Sequence, residues 1–350
     1  MRIINVHNVN LALAEGLNMI NHSGVPMESR NGRVLVIPEP VTTIYQNPQM
    51  RVVMSPLRDA NPFFHVMEAL WMLAGRNDVK FISYYNKNIA QYSDDGVTFH
   101  GAYGYRWRAH WGFDQLEHIV KLLRKDRNTR RAVLCMWDPL DDWEQASNDL
   151  PCNDVVFFDT LRGVLNATVC CRSNDMWWGA HGAIAVHFSF LLEYISAGAH
   201  IPMGFLRQVS NNYHLYPDVL PNKGVEIEDL ADDAADSDPY THGISGGRTY
   251  MRRQADPLPG LVPLVESFDS FDLDLTKFMA DSLSTDMYED NPFFHKVAGP
   301  MARAWAHYKA REYGHAFDQI DQIVAGDWRR ACNEWLQRRR ENTRVDRKQD

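Results

Sequence analysis

Beyond Arg33 the chain is rich in β-branched residues broken by prolines, and residues 33–55 are predicted to form strands and turns. The period then changes. Phe63, Phe64, Met67, Leu70, Trp71 and Leu73 recur at helical spacing and predict a helix with a broad buried face. Asn61 fits its N-cap, Pro62 its first position and Gly75 its stop. Glu68 stands beside Met67, at the edge of that face or within it. Residues 113–125 read as an amphipathic helix and 131–137 as a strand. Residues 155–160 and 164–172 read as two strands joined by a tight turn at Arg162-Gly163. A mostly apolar helix over 182–197 follows, then a strand over 205–216. The middle of the chain is therefore mixed α+β.

Later segments change character. Residues 225–239 are rich in Asp and Ala and read as a mobile, solvated acidic loop. From 272 to 338, Phe278, Met279, Trp305, Tyr308, Phe317, Ile320, Ile323 and Trp328 recur at helical spacing, and the charged tail beyond Arg338 is expected to fray. The string Asn-Pro-Phe-Phe-His occurs at 61–65 and 291–295 and reads as a shared helix start, not a repeat unit. The expectation is one domain over residues 1–350.

Composition narrows the classes. With 45% apolar residues, the 350-residue chain can bury a large core. A net charge of −9 and a pI near 5.9 argue against a general nucleic-acid binder. The five cysteines include no CxxC, so neither a disulfide framework nor a zinc ribbon is expected, and a reducing cytoplasm is. The N-terminus lacks the apolar core of a signal peptide, and no uninterrupted apolar stretch nears membrane length.

Candidate chemistry centres on Cys152 and Arg172. Cys152 follows Pro151 where an apolar strand begins, and Arg172 closes the next strand. That is the layout of a nucleophilic thiolate beside an anion site. With Glu68, Tyr103-Gly104-Tyr105-Arg106-Trp107, Thr129-Arg130-Arg131, Arg172-Ser173-Asn174-Asp175 and Tyr213-His214-Leu215-Tyr216, in this order and spacing, residues 25–220 resemble the thymidylate synthase and pyrimidine-nucleotide hydroxymethylase superfamily.

The resemblance implies a homodimer with a mixed sheet flanked by helices, plus an added C-terminal helical region. It implies 5,10-methylenetetrahydrofolate as co-substrate, no metal, and a pyrimidine nucleoside monophosphate as substrate. Cys152 would attack C6 and make C5 nucleophilic. Glu68 and Tyr103 would handle protons. Arg172 and Ser173 would hold phosphate, Arg130 and Arg131 would reach it across the dimer, and Arg30 would close on it from a mobile loop. His214 and Tyr216 would bind the sugar, and Asp175 the folate. His181 and His187 read as packing residues, and the other cysteines as structural.

Departures from the synthases redirect the expected product. Asn153 replaces the usual histidine after the cysteine, so it joins the catalytic candidates. Ala183 and Ile184 stand in the stretch that reads the base in synthases, and neither offers a side-chain hydrogen bond. Residues 88–96 lack a shielding tryptophan, and the chain ends in charge where synthases end in a short apolar segment. A wetter pocket favours capture of water over hydride transfer. The expectation is hydroxymethylation of dCMP, as in phage DNA modification, with dUMP, CMP or methyl transfer as alternatives. An inactive nucleotide-binding homologue and a helical interaction protein are the readings from other classes.

Overall fold

A computed structural model describes residues 1–29, 31–221, 225–240 and 261–349, with side chains as far as 341. The chain opens with β1 (Arg2–Val6) and α1 (Val9–Ser23), whose Leu13, Leu17 and Ile20 bury on one face. Strands β2 (Val25–Ser29), β3 (Gly32–Ile37) and β4 (Val41–Tyr45) follow. The strands expected over 33–55 thus end at Tyr45. Helix α2 (Pro62–Leu73) begins as predicted, with Asn61 Oδ1 accepting from the Phe64 N–H at 3.1 Å. After α3 (Val79–Tyr85) and α4 (Tyr103–Arg108) comes α5 (Gln115–Lys125), capped by Asp114. Short β5 (Val133–Cys135) and α6 (Pro139–Asp142) lead to the hairpin of β6 (Asn153–Leu161) and β7 (Val164–Cys171). Arg162 and Gly163 have φ of 55° and 80°, the pair of positive values that matches a hairpin's own twist.

Strand β8 (Asn174–Asp175), a π-helical stretch Met176–Ala183 and helix α7 (Ile184–Ala199) follow the hairpin. The strand expected over 205–216 is two strands, β9 (Met203–Ser210) and β10 (Tyr213–Leu215), which lie in different sheets. One sheet is six-stranded, β1-β4-β9-β7-β6-β5, and the other four-stranded, β2-β3-β10-β8. Both mix parallel and antiparallel pairs. Helix α7 is buried almost all round and touches α2, α5, β7 and β9, as a helix apolar on every side must be. Met176–Ala199 is long and apolar enough to cross a membrane, and 83% of its apolar window is buried inside the protein, as in the core helix of a globular fold.

The expected acidic loop is corrected. Residues 227–236 form helix α8 (Ile227–Asp236), whose Leu230, Ala231 and Ala234 bury while it packs on α1. Asp233 accepts from the Ser55 hydroxyl and the Leu57 N–H. Ala231 and Ala234 are strong helix formers on the buried stripe.

Helices α9 (Phe268–Ala280), α10 (Gly299–Lys309), α11 (Tyr313–Asp321) and α12 (Gly326–Gln349) build the C-terminal region. The Trp305 and Trp335 rings lie 5.5 and 5.7 Å from Phe63, so α10 and α12 are seated on α2. The helix continues past Arg338, and Arg338 and Arg339 both pair with Asp59. The second Asn-Pro-Phe-Phe-His also opens a helical segment, but Asn291 does not cap it. Its Oδ1 accepts from the Glu266 and Ser267 N–H groups at the start of α9.

Candidate active site

Antiparallel pairing of β6 and β7 puts Asn153 opposite Cys171, so Cys152 and Arg172 flank the same hairpin end. Arg172 is tied to the loop that carries the cysteine. Its Nε donates to Pro151 O at 2.7 Å, its Nη2 to Leu150 O at 3.3 Å, and its guanidinium lies 5.5 Å from the Trp137 ring. Arg172 Nη2 also sits 3.9 Å from Cys152 Sγ. A fixed cation that close favours the thiolate electrostatically. Cys152 is half-buried, open enough to react, whereas Cys171 and Cys332 are buried with their thiols pushed well above the usual range by burial.

Tyr103 completes the cradle. Its hydroxyl accepts from the Cys152 N–H at 3.1 Å and the Asn153 N–H at 3.3 Å. Burial, with the Cys152 sulfur nearby, pushes this hydroxyl well above the ordinary tyrosine range, so it stays a protonated donor. The rest of its motif is structural. Arg106 is fully buried, bonded to Asp142 and to Met136 O at 2.7 Å, which fixes the segment leading to Trp137. Asn153 lies beneath the nucleophile and is fully buried. Its Oδ1 accepts from the Cys171 thiol at 2.8 Å, and its Nδ2 has no partner among the described residues.

Glu68 projects from α2 at the edge of its buried face, with a side chain 13% exposed, and Oε2 lies 2.8 Å from His187 Nε2. Asp175 and His214 are register partners in the parallel β8–β10 pair, and the His214 and Tyr216 rings are 5.2 Å apart. Burial pushes the Asp175 carboxyl up, against the Trp178 N–H, His214 and Arg58. Burial pushes His214 down, opposed by Asp175. Ser173 follows Arg172 and is half-buried. Arg130 and Arg131 are exposed ahead of β5 and make no ion pair among the described residues. Arg30 lies outside the described residues.

Two histidines separate. His181 is packing, as expected: its Nδ1 contacts the Tyr45 hydroxyl at 2.9 Å and its Nε2 the Tyr213 hydroxyl at 2.7 Å, and burial pushes its pKa down to about 3. His187 is also buried, and its Nε2 lies against Glu68 Oε2, a contact the sequence pattern does not show because it depends on which helix lies opposite. Two further groups escaped the sequence. Arg58 donates from Nε to Trp177 O at 2.8 Å and stacks 4.4 Å from the Trp178 ring, and burial lowers it to about 10 against the pull of Asp175 and Asp59. Asp154 is passed over in the β6–β7 pairing at a bulge, and burial raises its carboxyl to about 6 despite Arg172.

The arrangement offers a positioned sulfur beside a cation, a tyrosine donor, and a carboxylate–imidazole contact. These are the parts of nucleophilic addition with proton management. Residues 17–298 match the family model described as thymidylate synthase, well past the stretch of 25–220 that carried the resemblance. A deoxyuridylate hydroxymethyltransferase of Pseudomonas phage M6 is 42% identical over 349 residues, 97% of this chain and 95% of the relative. One from Bacillus phage SP01 is 36% identical over 58% of this chain and 55% of its own length. A thymidylate synthase of Buchnera aphidicola is 28% identical over 43% of this chain and 58% of its own length. The chain belongs to the thymidylate synthase family, in its hydroxymethylase-like branch.

Proposed function

We propose that the chain is a pyrimidine deoxynucleotide 5-hydroxymethyltransferase that transfers a one-carbon unit from 5,10-methylenetetrahydrofolate to C5 of dUMP. The observation that carries the chemistry is the Cys152 sulfur held beside Arg172 on one hairpin end, with the Tyr103 hydroxyl locked to the same loop. Cys152 adds to C6 and C5 becomes nucleophilic. The folate supplies the carbon. Tyr103 and Glu68 handle protons at the ring, and Asn153 holds Cys171 beneath the nucleophile.

Arg172 and Ser173 bind phosphate, joined by Arg30 and by Arg130 and Arg131 from a partner subunit. His214 and Tyr216 hold the sugar. Asp175 fits the donor groups of a pterin: its Oδ2 is buried and unpartnered among the described residues, beside the exposed Trp178 ring. Asn153, Ala183 and the absence of tryptophan over 88–96 favour water as the final nucleophile. The names of the phage relatives favour uracil, the alternative base, over the cytosine first expected. Their phage origin also supports action in a host cytoplasm.

The test incubates the protein with dUMP, dCMP or CMP and methylenetetrahydrofolate and weighs the products. A hydroxymethylated product from dUMP with tetrahydrofolate is expected. Turnover of dCMP in preference to dUMP would overturn the base, and a methylated product with dihydrofolate would overturn the reaction.

A further inference from the structure

His187 enters in the first turn of α7 and is 5% exposed. Its Nε2 touches Glu68 Oε2 at 2.8 Å, out of line for a hydrogen bond, and neither ring nitrogen has an aligned partner among the described residues. Buried imidazoles are normally hydrogen-bonded, as His181 is on the same stretch of chain. An imidazole this buried, with no aligned hydrogen bond among the described residues and its Nε2 against a carboxylate, is placed to share a proton rather than to fill space. Its helix neighbour Phe188 packs 6.2 Å from the Tyr103 ring, which ties this corner to the cradle of Cys152.

Among the described residues, Glu68 from α2 touches His187, and His65 of the same helix feels both His187 and Arg58 from the loop before it. Burial, then Arg58 and His187, push His65 well below the usual histidine range, so it stays neutral. The carboxylate of Glu68 is the anion in contact.

We propose that His187 is the positioning partner of Glu68 for the water that ends the reaction, an inference that rests on the hydroxymethyltransfer reading. At that stage the ring carries the Cys152 sulfur on C6 and an exocyclic methylene on C5. The oxygen of one water bonds to the methylene carbon while its proton passes to Glu68, steadied by His187. The π pair moves into the ring as an enolate. The enolate collapses, the C6–S bond breaks, and Cys152 leaves as thiolate. One water is consumed, its hydroxyl ends on the product and its proton on the Glu68–His187 pair. No oxidant or reductant is needed.

His187→Gln tests this with two readouts. With 5-fluoro-dUMP and methylenetetrahydrofolate the chain stalls as a covalent adduct on Cys152, before any water is needed. The variant is expected to form that adduct to the wild-type extent, with the KM for dUMP within about threefold. Its kcat for hydroxymethylated product is expected to fall about 100-fold, the usual worth of a positioned acid–base group. Glu68→Gln and the double variant are expected to fall alike, since the residues act as a unit. A kcat within about threefold of wild type, or adduct and kcat lost together, would overturn the proposal. Failure of the underlying reading shows separately, as a methylated product from the unaltered protein.

Discussion

At Asp154, burial sets how the carboxyl responds to pH. Its carboxyl is raised to about 6 by burial, although Arg172 pulls the other way. The folded chain therefore prefers the neutral acid. That contribution to stability is fully present below about pH 4 and is lost as pH rises through about 6. Asp154→Asn is expected to shrink the loss of denaturant stability between those limits, and an unchanged slope would contradict the assignment. The pairing of Cys152 with Arg172 was legible from residue type and spacing because one hairpin joins them, whereas Tyr103 came from the family resemblance, its contact with Cys152 spanning 49 residues. Asp154 and His187 were not legible. One owes its character to a bulge and the other to a neighbour far away in sequence, at Glu68.

Among elements, the contact of α2 with α4 sets the nucleophile's cradle. A Cβ on Gly104 would lie 2.1 Å from Met72 O, so α4 can approach α2 this closely only with glycine there. Gly104→Ala must push α4 away and carry Tyr103 with it. The expected result is a loss of about 1–3 kcal/mol in denaturant stability, with a larger drop in turnover than in thermal midpoint. Wild-type turnover would contradict it. Helix α2 was readable because its cap, proline and apolar stripe all agree. Helix α8 was misread because acidic residues mask a short buried stripe of Leu230, Ala231 and Ala234. The switch at Asn211-Asn212 between sheets was hidden because only two residues separate the alternating β9 from the fully buried β10.

At the scale of the whole molecule, the C-terminal helices are not a loose addition. Trp305, Trp335 and the Asp59 pair with Arg338 and Arg339 fasten them to α2 and the loop before it, and we propose that residues 1–350 fold as one domain. We propose that the exposed Arg130 and Arg131 reach the phosphate bound by a second subunit. Mixing Cys152→Ala with an Arg130→Ala/Arg131→Ala variant is therefore expected to restore about a quarter of wild-type turnover, since half the dimers are mixed and each has one intact site. No recovery between inactive parents would contradict shared sites. The most direct test of the central claim is a turnover of dUMP in water enriched in oxygen-18, followed by the mass of the nucleotide product. One heavy oxygen in a 5-hydroxymethyl group is predicted; a 5-methyl product without label, formed together with dihydrofolate, would contradict the account.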